Sequence, residues 1–148
     1  PLMGATRQSD DSCSMPSNSV PLTVFLADDS APIRLRVKEM LREQGLTVVG
    51  EAETPQSCIN AILQLLPDVV VLDIQLRDGS GMQVLREVRK AAPGVALVVF
   101  SNNASPAYRK RYLSEGATAF LDKSIELDQL AKTVATANPG RKHDHCNS

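Results

Sequence analysis

The chain has 148 residues, 43% hydrophobic and 22% charged, which fits one globular domain with a sizeable core. A formal net charge of −1 offers no bulk attraction to nucleic acid or to anionic membranes. No apolar run approaches the roughly 18 residues that span a bilayer, so no membrane span is expected. Residues 1–21 are rich in Ser, Asp, Asn and Pro and are predicted as a disordered tail, because they cannot bury enough apolar surface to offset ordering. They lack a basic segment leading into an apolar one, so no signal peptide is expected. The start at Pro1 fits a trimmed or partial protein. Cys13, Cys58 and Cys146 are odd in number and lack metal-ligand or redox spacing, which points to a reducing cytoplasm.

Regular structure is expected from Leu22-Thr23-Val24-Phe25-Leu26-Ala27, a short strand running into Asp28-Asp29-Ser30. A helix follows, capped by Asp29 or Ser30, with Pro32 in its first turn and Ile33, Val37, Met40 and Leu41 at helical spacing. Leu46 to Gly50 is a second strand, and Thr54-Pro55 opens a helix with the stripe Cys58, Ile59, Ile62, Leu63 and Leu66. Val69-Val70-Val71-Leu72 reads as a strand buried on both faces, ending abruptly in Asp73 and a Gly-rich turn. A third helix carries Met82, Leu85 and Val88, and Val95 to Phe100 is a fourth strand ending in Ser101. After Pro106 a fourth helix runs to Glu115. A fifth strand, Ala117 to Leu121, delivers Asp122-Lys123-Ser124, and a last helix carries Leu127, Leu130, Ala131 and Val134.

Strands alternating with helices imply right-handed crossovers and a doubly wound α/β fold, a five-stranded parallel sheet with helices on both faces. The order 2-1-3-4-5 would make it flavodoxin-like. The domain is placed at residues 22–138, with 139–148 as a flexible tail.

An ionised Asp beside so apolar a run as Val69 to Leu72 is costly unless its charge is compensated. The strand ends deliver Asp28 and Asp29, Asp73, Ser101 and Lys123 to the same, C-terminal edge of the sheet. If the first and third strands are neighbours, three carboxylates meet where ligands bind in such sheets. Clustered anions need a cation, and oxygen-only ligands suit Mg²⁺. An Asp beside a divalent cation can act as a nucleophile toward phosphorus, with Lys123 and Ser101 stabilising the transferring group. Each residue alone has a plainer reading: Asp28 and Asp29 as helix caps, Asp73 as a loop residue, Ser101 as a turn residue, Lys123 as a solvated charge. The ordered combination favours the site.

At these residues the chain resembles a receiver domain of two-component response regulators, chemotaxis regulator included, over about residues 22 to 137. The shared elements are Leu26-Ala27-Asp28-Asp29, Val71-Leu72-Asp73, Val99-Phe100-Ser101 and Gly116-Ala117 followed by Phe120-Leu121-Asp122-Lys123. The resemblance implies that Asp73 accepts a phosphoryl group from a sensor histidine kinase or a histidine phosphotransfer protein. Asp29, Asp73 and the Gln75 backbone carbonyl would ligate Mg²⁺ directly, and Asp28 through water. Ser101 would contact the phosphoryl group and Lys123 pair with it. Phe120 occupies the place of the aromatic switch residue, and core filler is its equal alternative.

Such a domain phosphorylates and dephosphorylates itself without an external product, so it is not an enzyme in the usual sense. Its surface of fourth helix, fifth strand and fifth helix would control a downstream protein or output domain, with no direct nucleic-acid or membrane binding and room for a homodimer. Three departures stand out: Arg77 where the family often has Pro, Asn102 where Ala is common, and Ser124 where Pro usually follows the lysine in a cis peptide; Gln75 and Asn103 sit where the family tunes autodephosphorylation. Asn102 and Ser124 motivate an alternative, a pseudo-receiver that docks proteins without phosphorylation. A haloacid-dehalogenase-type phosphatase needs an Asp at position 75, and an FMN carrier needs a Ser/Thr/Gly-rich loop after the first strand; neither is present. Tyr108 to Tyr112 reads as a solvated helix face, with protein docking as the alternative. His143, Asp144, His145 and Cys146 form too short and polar a tail to favour a metal site.

Overall fold

The computed structural model describes residues 21–137. Residues 1–20 and 138–148, with Cys13 and the His143 to Cys146 group, lie outside the described residues. Five strands, β1 (Thr23–Ala27), β2 (Thr47–Ala52), β3 (Val69–Leu72), β4 (Ala96–Ser101) and β5 (Ala119–Asp122), form one sheet. They alternate with α1 (Ala31–Glu43), α2 (Pro55–Leu65), α3 (Gly81–Ala91), α4 (Pro106–Ser114) and α5 (Leu127–Thr136). All four pairings are parallel, as the alternation predicts, and the order β2-β1-β3-β4-β5 is the flavodoxin-like one expected.

Local chemistry starts the helices. Ser30 Oγ accepts the Ile33 N–H, Thr54 and Ser57 cap each other reciprocally, and Ser105 Oγ accepts the Tyr108 N–H, each with Pro in the first turn. The strands split their side chains between two cores, which is why the central ones read as continuous apolar runs. Phe25, Val70, Leu72, Leu97 and Val99 pack with Cys58 and Ile62 of α2, Val84 and Leu85 of α3 and Tyr112 of α4. On the other face Val24, Leu26, Val71, Val98 and Phe100 pack with Val37 and Leu41 of α1 and Leu130 and Val134 of α5.

The structure differs from the sequence reading at several points. Ser101 and Asp122 lie inside β4 and β5 and pair with each other, rather than just beyond them. Leu66 is exposed, because the chain leaves α2 there in a left-handed conformation (φ 48°). The turn after Asp73 holds a small antiparallel ribbon, Gln75–Leu76 against Gly79–Ser80, with Asp78 at φ 66°. Tyr112 does not sit on a solvated face: it is 3% exposed and meets Phe120 edge-on at 6.1 Å between ring centroids. No peptide bond among the described residues is cis, Lys123–Ser124 included.

Gly81 connects this packing to the strand end. A Cβ at that position would stand 2.3 Å from the Asp73 carbonyl oxygen and 3.1 Å from Ile74 Cα. The Gly81 N–H donates to the Ile74 carbonyl at 2.9 Å, so the start of α3 lies directly on the Asp73 turn. Gly81→Ala must push the two apart, at a cost of about 1–3 kcal/mol, the usual range for overpacking. Urea denaturation at neutral pH measures this, and a change below ~0.5 kcal/mol rejects the close approach.

Candidate functional site

The sheet ladder carries the polar residues to their places. Asp28 N–H donates to the Ala52 carbonyl, Asp73 N–H to that of Ala27 and Lys123 N–H to that of Ser101, at 3.2, 2.9 and 3.0 Å. Each residue thus takes the rung just past the end of its strand. Because Ala27 lies opposite Leu72, Asp28 and Asp73 emerge side by side. Among the described residues the buried polar or charged side chains are Asp28, Asp73 and Ser101, at 7%, 8% and 2% exposure. Burial of this kind requires partners, because unpaired polar groups are expensive to desolvate.

Lys123 is the central partner. Its ammonium donates to Asp73 Oδ2 at 2.8 Å and lies 2.6 Å from Asp28 Oδ2. Burial opposes the lysine's charge, but the hydrogen bonds to Asp28 and Asp73 outweigh it and hold its pKa above the ordinary value. One ammonium cannot neutralise two carboxylates. Burial, with the Asp73 charge beside it, pushes the Asp28 carboxyl up despite the bonds from Lys123 and the Ser30 N–H. Asp29 is exposed at the rim, and one oxygen from each of Asp28, Asp29 and Asp73 falls within 4.8 Å of the others. A hard, all-oxygen donor set with excess negative charge fits a divalent cation such as Mg²⁺.

A cleft of about 350 Å³ opens beside this cluster, lined by Asp29, Ser30, Ile33, Asp73, Gln75, Ser101, Asn102, Asn103 and Lys123. Ser101 Oγ accepts the Asn103 N–H at 3.1 Å, and Asp73 Oδ1 accepts the Gln75 N–H at 3.4 Å. The residues expected at the strand ends therefore come together. Phe120 does not line the cleft: it is 4% exposed, beside Tyr112 and under the Arg109 guanidinium, 5.0 Å from its ring centroid.

Some supporting residues escaped the sequence reading. Arg34 Nη1 donates to the Asp28 carbonyl at 2.5 Å, while its Nε pairs with Glu51 at 2.7 Å. Arg109 Nη1 donates to the Phe120 carbonyl at 2.7 Å. Both arginines sit on helices, where a charged residue gives no sequence signal of which backbone carbonyl it will reach.

A doubly wound parallel sheet with three carboxylates and a lysine at its switch point defines the class of aspartate-centred receiver folds. Residues 24–135 match the response regulator receiver domain model, so the chain belongs to that family. It is 31% identical over 125 residues to the nitrate/nitrite response regulator protein NarL of Escherichia coli, covering 84% of this chain and 58% of NarL. To the chemotaxis protein CheY of Thermotoga maritima it is 25% identical over 111 residues, covering 75% of this chain and 92% of CheY. The solved signal receiver domain assigned to response regulator NarL of Mycobacterium tuberculosis superposes with a TM-score of 0.76 at 30% identity, covering 81% and 98% of the two chains. The chain spans about three fifths of the length of several curated relatives it matches. Receiver domains are signalling modules that bind Mg²⁺ at an acidic pocket and interact with histidine kinases or phosphotransfer proteins. Among the described residues no helix is long and apolar enough to cross a membrane.

The excess negative charge has a measurable consequence. An acid whose folded pKa is raised stabilises the fold below its ordinary value, 3.8 for Asp28, and loses that contribution as pH rises through the folded value. At pH 7 without divalent cations, Asp28→Asn is therefore expected to unfold at higher urea than wild type. The advantage shrinks as pH falls toward 4. A gap that stays constant with pH would show that Asp28 ionisation is not its source.

Proposed function

We propose that residues 22–138 act as a phosphorylatable receiver in which Asp73 takes a phosphoryl group from a phosphohistidine on a sensor kinase or phosphotransfer protein. The observation that carries this reading is the Lys123 ammonium held between Asp73 and Asp28 at the strand ends. It fixes one Asp73 oxygen and supplies positive charge where the transferring oxygens arrive. An Asp73 carboxylate oxygen attacks phosphorus; the P–O bond forms as the donor's P–N bond breaks, and the imidazole nitrogen keeps the electron pair and takes up a proton. Asp28, Asp29, Asp73 and the Gln75 carbonyl are the groups that would hold Mg²⁺, whose charge offsets that of the phosphoryl oxygens when it is bound.

Ser101 accepts the Asn103 N–H, so its own hydroxyl hydrogen remains available to a phosphoryl oxygen. Loss of the group follows when water attacks phosphorus, breaking the P–O bond and restoring the Asp73 carboxylate. Gln75 and Asn103 flank that approach in the cleft. Phe120, packed inward on Tyr112, is the residue through which a shift at Ser101 would reach α4, β5 and α5. That surface would act on a downstream protein or an output domain, in the cytoplasm, without contacting nucleic acid itself, and could support a homodimer. A docking-only pseudo-receiver is the second reading, favoured by the Asn102 side of the cleft, where the family commonly has Ala.

Intact mass after incubation with acetyl phosphate and Mg²⁺ separates the two. A receiver gains about 80 Da, one phosphoryl group, with no gain in EDTA or in Asp73→Asn. Lys123→Ala should cut the yield about 10²-fold or more, on the scale of losing a charge-stabilising donor. A folded wild type that gains no mass favours the docking module, and Asn102→Ala then asks whether that side chain blocks access.

A further inference from the structure

We infer that Glu53, in the β2–α2 connection, is a positioning residue that clamps the turn carrying Gln75 through Arg77, and so sets divalent-cation affinity. The inference rests on the proposed receiver reading. Glu53 holds Arg77 at two points: its carbonyl accepts the Arg77 N–H at 2.8 Å, and its carboxylate Oε1 is ion-paired with the Arg77 guanidinium. That oxygen is shielded from solvent and has no aligned hydrogen bond, so its charge is met by Arg77. The other carboxylate oxygen lies 3.9 Å from Arg34 Nη2, and Arg34, 13% exposed, holds the Asp28 carbonyl.

A chain of alternating charge therefore runs from the Asp28 backbone through Arg34 and Glu53 to Arg77, two residues beyond Gln75. A second contact supports it. A Cβ on Gly79, in the returning arm of the same ribbon, would meet Pro55 Cγ at 2.6 Å, so the ribbon rests on the β2–α2 corner. Where relatives commonly place Pro after the third residue beyond the phosphoacceptor, this chain has Arg77, and Glu53 supplies the restraint that a proline's fixed φ would give. Groups that orient metal ligands from outside raise affinity by holding the ligands in one arrangement.

The sign of one substitution separates positioning from a bulk charge effect. Arg77→Ala removes a positive charge near a cation site, so a pure field effect would tighten cation binding. Loss of the clamp loosens it. With Mn²⁺ as probe, titrated by the electron paramagnetic resonance signal of the free ion, Arg77→Ala should bind about two- to fivefold more weakly than wild type, the reach of a partly exposed ion pair. Arg77→Lys should recover part of the loss. Glu53→Gln should weaken binding at least as much, because clamp and field then act in the same direction. Thermal midpoints recorded alongside identify any variant whose loss comes from unfolding. Wild-type binding with Arg77→Ala unchanged or tighter overturns the clamp alone. Absence of Mn²⁺ binding in wild type overturns the clamp together with the receiver reading.

Discussion

Two buried carboxylates sharing one ammonium is the constraint on which the rest of the structure depends. Unit charges 4 Å apart interact by about 4 kcal/mol at an effective dielectric of 20, so Asp28 and Asp73, side by side and ionised, repel strongly unless Lys123 stands between them. The topology creates the difficulty and resolves it. Placing β1 beside β3 brings the two acids together, and placing β5 beyond β4 puts the lysine two strands from Asp73, within reach of a long side chain. The sheet order thus arranges charge as much as it arranges a core, and the residual negative charge is what invites a metal ion.

Much of this was legible because it rests on strong, short-range patterns. Val69 to Leu72 and Ala96 to Phe100 are buried throughout, and a polar residue ending such a run is conspicuous. The helix starts at Ser30, Thr54 and Pro106 are equally plain, since Pro marks each first turn, whereas the Ser105 cap escaped the sequence reading. Less visible were features with no period of their own. The Gln75–Ser80 ribbon has two residues per arm, too few to alternate. Tyr112 lies in a helix whose buried residues number one, so no stripe marks it; its burial comes from the tertiary contact with Phe120. Arg34 and Glu53 look like surface charges in sequence, and only the fold shows whose carbonyls and guanidinium they meet.

Phe120 shows how closely packing ties one residue to its neighbours. Inward, it is covered by Tyr112 at its edge and Arg109 at its face, while Arg109 also holds its carbonyl and lies 3.8 Å from Glu126. This packing is the core role of Phe120, and the proposed switch role would have to act through the same contacts. A ring tied to α4 and to the β5–α5 connection cannot move without moving what holds it. Ser101, opposite Asp122 in the ladder, lines the same cleft as Asp73.

The connection after Lys123 shows the same logic at a family departure. A Lys–Pro bond makes the cis isomer accessible, whereas a Lys–Ser bond strongly disfavours it, so this loop must aim its lysine from a trans backbone. It does so with local hydrogen bonds. Asp122 Oδ1 accepts both the Ser124 N–H and its hydroxyl, at 2.8 and 2.6 Å, and these bonds hold the Asp122 carboxyl below its ordinary range. Glu126 Oε1 accepts the Asp122 N–H at 2.8 Å, closing the turn from the far side. Side-chain capping thereby takes over the restraint a proline ring would provide, and Lys123 still reaches Asp28 and Asp73. Lys123 thus meets both carboxylates from an all-trans loop braced by side-chain hydrogen bonds.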